Sequence, residues 1–122
     1  MQAWQRYMQN DIMTSNPIKN TIFVYERCIV EFRKVEELLH TFKLQEGYDL
    51  LEKLERIFEE LKLQLNPEIK KDLYDSLYSL YDWISIQIQT MKVTREAKDI
   101  DAIVQVLQDL IDGYRGVLEN EQ

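Results

Sequence analysis

One spacing in this sequence could hold a metal: Glu37-Leu-Leu-His40, a Glu-x-x-His pair that a helix would place on one face. Di-iron bundles need that pair twice, because carboxylate and imidazole ligands must meet around both ions. His40 is the only histidine, so no second pair can be assembled and the residue reads as a surface histidine near a helix end. Cys28 is the only cysteine, which excludes an internal disulfide and a zinc site built on a Cys pair; it reads as a small residue packed in a helix. The sequence carries no Gly-rich phosphate loop, and any Ser-His or Cys-His arrangement would have to be built on His40 alone. One enzyme class stays open, a small all-helical pericyclic enzyme of the chorismate mutase kind, which grips a dianion with buried Arg and Lys. Such cations would interrupt apolar stripes, whereas Arg27, Arg33, Arg56, Arg95 and Arg115 fall between stripe positions, as solvated charges do. No cofactor, no metal and no catalysis are expected.

The elements that would carry any site are helices. Three Gly and two Pro punctuate 122 residues rich in Leu, Glu, Lys, Gln and Ile, which leaves little material for turns. That length fits a single domain spanning 1–122. The formal net charge of −7, with no Lys/Arg cluster, would repel a phosphate backbone or an anionic lipid surface, so no nucleic acid partner is expected. The start MQAWQRYMQNDIM is polar and mixed, and no apolar run is long enough to span a bilayer. A cytoplasmic address without membrane insertion is the expectation.

Asn16-Pro17 and Asn66-Pro67 read as helix starts, since Asn at the N-cap accepts from a free amide and Pro at the first helical position has none to leave unpaired. From the first, Ile18, Ile22, Tyr25, Ile29, Phe32, Val35, Leu39 and Phe42 draw one stripe over about 17–42. Leu51, Leu54, Phe58, Leu61 and Leu65, widened by Leu50 and Ile57, place a second helix at 46–65. Leu73, Leu77, Leu80, Ile84, Ile88 and Met91 place a third at 67–91, with Thr94 as N-cap of a fourth at 95–118. Short connections favour antiparallel neighbours, so the expected fold is all-α, an up-down four-helix bundle. Residues 1–15, with Trp4, Tyr7, Met8, Ile12 and Met13, stand apart as an N-terminal arm or short helix lying over it.

Apolar surface exceeds what such a bundle needs. Ten of the sixteen residues from Leu73 to Ile88 are apolar or aromatic, against a requirement of an arc a little over about 100°. Tyr74, Tyr78 and Tyr81 form a second stripe beside the core stripe, and Trp83 and Ile86 point elsewhere again. On the first helix Phe23 and Val30, two turns apart, lie well off the core stripe. Tyrosines at a helix edge often flank a core with the hydroxyl in water. The same residues would equally suit a groove for a partner helix, or a face for self-association.

From Tyr7 onward the pattern becomes more specific. Tyr7, the stretch Met13-Thr14-Ser15-Asn16-Pro17-Ile18-Lys19, Val24-Tyr25-Glu26, and Leu77-Tyr78-Ser79-Leu80-Tyr81-Asp82-Trp83-Ile84 stand in order on the expected helices. Together they resemble the FliS family, the flagellin chaperones of flagellar type III export. The resemblance covers nearly the whole chain and departs from the family pattern at Asn20, Glu26, Arg27 and Tyr114. It implies a cytoplasmic chaperone that binds the C-terminal segment of flagellin one to one, prevents premature polymerisation and docks its client on the flagellar export gate protein. In some bacteria it also implies a flagellin-linked regulator of translation as partner. The implied contact residues are Tyr7, Ile12, Phe23, Tyr25, Val30, Tyr74, Tyr78, Tyr81 and Trp83, with Tyr7 and Ile12 of the arm able to cover apolar surface when the client is absent. Leu-Tyr-Asp is itself a family motif, which leaves the tyrosine stripe divided between fold and contact and makes Phe23 and Val30 the sharper assignment.

Overall fold

A computed structural model describes residues 17–120. It contains four helices, α1 (Pro17–His40), α2 (Leu44–Leu63), α3 (Lys71–Thr94) and α4 (Ile100–Asn120), and no strand among the described residues. The all-α class follows. The arm at 1–15, with Tyr7 and Ile12, lies outside the described residues.

Each helix boundary has a local cause. Among the described residues helix α1 runs from Pro17 and stops at His40, two residues before the expected 42. Its end is a Schellman cap: the amide of Lys43 donates to Leu38 O at 2.8 Å and that of Phe42 to Leu39 O at 3.2 Å. This puts Phe42, instead of the usual glycine, in the left-handed region with φ 62°. Phe42 therefore leaves the core stripe to which its spacing assigned it and stands 84% exposed.

Helix α2 starts at Leu44, and its Gly47 meets the end of α1. A Cβ there would lie 2.7 Å from Leu39 Cδ2, closer than non-bonded carbons approach, so any larger residue would force the buried Leu39 side chain to shift. The Asn66-Pro67 signal caps only a turn. Asn66 Oδ1 accepts the amide of Glu68 at 2.9 Å, Lys70 then takes an extended ψ of 133°, and α3 begins at Lys71 instead of 67.

At its other end α3 runs through Thr94, which is thus its last residue and not the cap of the next helix. Arg95 turns left-handed at φ 60° with its amide on Met91 O at 2.8 Å, and α4 opens only at Ile100, after Asp99 at φ 58°. Two positive-φ residues within five explain why helical periodicity could not resume at 95.

The described residues form two compact units, 17–33 with 100–120, and 34–99. In the first, Ile22, Val24, Tyr25, Cys28 and Phe32 of α1 are buried, as are Ile100, Ile103, Leu107 and Ile111 of α4. The helices run antiparallel, because Arg33 pairs with Asp101 at 2.6 Å while Glu26 pairs with Arg115 at 3.0 Å. The rings of Tyr25 and Tyr114, each one residue before a member of the second pair, meet at 5.9 Å.

In the second unit the buried residues are Val35 and Leu39, then Leu50, Leu51, Leu54, Ile57 and Phe58 of α2, and Leu77, Tyr81, Ile84, Ile88 and Met91 of α3. Here α2 and α3 are antiparallel too. Lys62, near the end of α2, reaches Asp82 at 3.3 Å, and Lys92, near the end of α3, reaches Glu55 at 2.9 Å.

Candidate partner-binding surface

The tyrosine stripe of α3 is mostly the flank that meets α2. Tyr81 is buried, its ring tilted 59° against Phe58 at 6.0 Å. One turn earlier Tyr78 is 43% exposed, stacked on Tyr74 at 6.2 Å, with Lys62 Nζ 5.8 Å above its ring. Lys62 also holds Glu59 at 2.9 Å. Burial pulls its pKa down, but the hydrogen bonds to Glu59 and Asp82 outweigh that and hold it above the ordinary lysine value.

The opposite end of the same flank repeats the device. Tyr48 lies under Arg95 at 4.4 Å and Lys92 at 5.2 Å, and the hydrogen bond to Glu55 raises Lys92 against its own partial burial. Arg95 also donates through Nε to Lys92 O, so it is packed rather than solvated, unlike the reading of it as a free charge.

Tyr25, like Tyr81, is a core residue: it is fully buried. The resemblance implies partner contact for both, whereas in this structure neither presents a surface, because each sits at the inward angle of its helix. Tyr74 and Trp83 are half-buried. Phe23 is half-buried and Val30, seven residues on along the same face of α1, is 55% exposed. Phe23, Tyr25 and Val30 belong to the first unit and the α3 residues to the second.

Trp83 and Ile86, off the core stripe by their spacing, begin a longer strip along the outward side of α3 than the sequence shows. Trp83, Ile86, Thr90 and Val93 follow steps of three, four and three. Val93 is 83% exposed and Ile86 is half-exposed. From Trp83 to Thr94 the only charge is Lys92, which is turned toward α2. The signal was that uncharged run; it was hidden because α3 was expected to end at Met91.

The remaining chemistry is sparse. Burial pushes the Cys28 thiol far above its ordinary pKa, which removes it as a nucleophile. His40 is exposed in the last turn of α1. Among the described residues no group of three or more His, Cys, Asp or Glu could hold a metal, and no described helix is long and apolar enough to cross a membrane. Arg27, Arg33, Arg56 and Arg115 are exposed and paired with Glu31, Asp101, Glu52 and Glu26, at the surface and not inside an anion pocket.

What the surface offers is thus apolar strips on a strongly acidic chain. Residues 1–121 match the model of the family described as flagellar protein FliS. The chain belongs to the FliS family. It is similar to the flagellar secretion chaperone FliS of Bacillus subtilis (strain 168), 21% identical over 116 residues that cover 95% of this chain and 86% of that one. It is also similar to a solved structure described as the crystal structure of a flagellar chaperone from bacteria. There the identity is 89% and the TM-score 0.86, with 98% of each chain covered.

FliS is a family of flagellar secretion chaperones rather than of enzymes, and the chain has its fold, an all-α four-helix bundle. Within that family frame, Leu77-Tyr78-Ser79-Leu80-Tyr81-Asp82 joins α3 to α2. Leu77 and Tyr81 supply core, while Tyr78 and Asp82 engage Lys62.

Proposed function

We propose that this chain is a cytoplasmic flagellin chaperone. It binds the C-terminal segment of flagellin one to one, keeps the subunit from polymerising early, and presents it to the export gate of the flagellar type III system. The observation that carries the reading is the match to the FliS family over 121 of 122 residues. The off-core strip at Phe23 and Val30 supports it at the level of residues.

The mechanism is binding without bond chemistry. Leu and Ile side chains of a client helix leave water against the strip, each contributing about 1.5–3 kcal/mol when fully buried. Ordering a disordered tail offsets much of that gain, which keeps the complex releasable at the gate.

The test is calorimetry of the full chain with a flagellin C-terminal peptide. Wild type should bind at a ratio of one. Val30→Asp should abolish binding, because docking would bury a carboxylate with no partner. Val30 is already more than half exposed, so helical content and the cooperative melt should be unchanged. Undiminished binding by Val30→Asp removes the site assignment. Absence of binding by wild type, with a dimer that grows with concentration in light scattering, removes the chaperone reading.

A further inference from the structure

Among the described residues two buried side-chain polar atoms have no hydrogen-bond partner, Oδ1 of Asn20 and Oγ of Ser85. Their settings differ. Ser85 lies mid-way along α3, one turn after Tyr81 and on the same α2-facing flank, in the interior of the second unit. Asn20 lies in the first turn of α1, 8% exposed, three residues before Phe23 and therefore its neighbour on the helix surface.

Buried acceptors are nearly always paired, and one left unpaired needs an account. From this we infer that Asn20 is a specificity contact for the client: its carboxamide oxygen accepts an N–H from the segment that docks on the Phe23–Val30 strip. The inference rests on the proposed function and adds a polar requirement to a surface otherwise read as apolar.

Two observations and one general property of helices converge on that role. The strip ends at Phe23, so a segment lying along it passes Asn20 next. A docked helix brings unpaired first-turn amides, which are donors seeking an acceptor. The oxygen is closed off from water in the free chain, yet it sits in a terminal turn, where local opening is cheapest. Leaving the acceptor unpaired also weakens the closed state and so lowers the barrier to that opening. A client without a donor at this place would leave the oxygen unpaired in the complex, and discrimination follows from that penalty.

The experiment uses the full chain and the flagellin C-terminal peptide, with Asn20→Leu and Ser85→Ala compared with wild type by thermal melting and calorimetry. Both variants remove an unpaired buried polar atom, so both should melt a few degrees higher. Only Asn20→Leu should lose affinity, by about five- to 150-fold, because the peptide's N–H would then face a methyl group. Ser85→Ala should bind as wild type does.

Equal or tighter binding by Asn20→Leu, with wild type binding normally, overturns the inference and leaves the chaperone reading standing. A lower melting temperature for Asn20→Leu overturns it as well, since the oxygen would then be serving a donor of this chain. Failure of wild type to bind the peptide refutes the functional reading, and this inference with it.

Discussion

Two tyrosines one turn apart on α3 should behave as different kinds of residue, and the structure sets the size of the difference. Tyr81 is 2% exposed with its ring on Phe58, so Tyr81→Ala opens a cavity the size of an aromatic side chain in the second unit. Truncations of that kind cost about 3–5 kcal/mol. A chain of this length at about 0.05–0.15 kcal/mol per residue has roughly 6–18 kcal/mol in total, so the change removes a large share. Tyr78, 43% exposed, loses its stack on Tyr74 and the ammonium of Lys62, worth about 0.5–1 kcal/mol each at such exposure. The higher helix propensity of alanine returns about 0.5 kcal/mol. Urea unfolding followed by circular dichroism separates the two. With a slope of about 2 kcal/mol per molar, Tyr81→Ala should lower the midpoint by about 1.5–2.5 M and Tyr78→Ala by under about 0.7 M, at unchanged slope. Equal shifts, or a loss below about 1.5 kcal/mol for Tyr81→Ala, would refute the division of this stripe into a core member and an edge member.

Alkaline pH should weaken the α2–α3 pairing. Lys62 and Lys92 have folded pKa values raised above the ordinary 10.5, so their contribution is complete below that pH and is lost as pH climbs through the raised values. The melting temperature should be level from neutrality to about pH 9, decline once the Cys28 thiol can ionise in the unfolded chain but not in the core, and fall more steeply above about pH 10.5; there a Lys62→Met, Lys92→Met double variant should fall less steeply, and an identical slope would contradict the assignment. Cys28 is fully buried, so a thiol reagent should label it only at the rate of unfolding, and prompt labelling in native buffer would contradict its place in the core.

Much of this was readable from periodicity. Steps of three and four find the buried faces of α1, α2 and α3 because burial repeats with the helical turn. Errors concentrated at the ends, where single residues decide. Phe42 fits the stripe by spacing, yet the Schellman cap takes it into the left-handed region, a conformation that sequence patterns associate with glycine. Asn66-Pro67 is a sound helix-start signal that here closes only a turn. Thr94 reads as a cap because the break falls at Arg95 and Asp99, both left-handed without being glycine.

The contact surface was less legible, since tyrosine suits a helix edge and a partner groove equally well. Spacing alone puts Tyr25 on the core stripe and Val30 off it, as they are in the structure; only the third dimension shows Tyr81 turned inward beside an exposed Tyr78. Asn20 stands out in the sequence only as a departure from the family pattern, because an unpaired oxygen is a property of surroundings and not of spacing.

Charge adds a last step. The chain carries −7, and Arg33 and Arg115 are engaged across the first unit, as Lys62 and Lys92 are across the second. The strips at Phe23–Val30 and at Trp83–Val93 are therefore apolar ground on an acidic surface. Two copies would repel each other overall, which disfavours self-association through those strips. A client helix that docks there gains by burial instead of by ion pairing, and its affinity would vary little with salt. On the proposed function, specificity must then come from shape and from a few buried polar contacts. That is why one unsatisfied oxygen beside Phe23 can matter more to the choice of client than the larger number of charges around it.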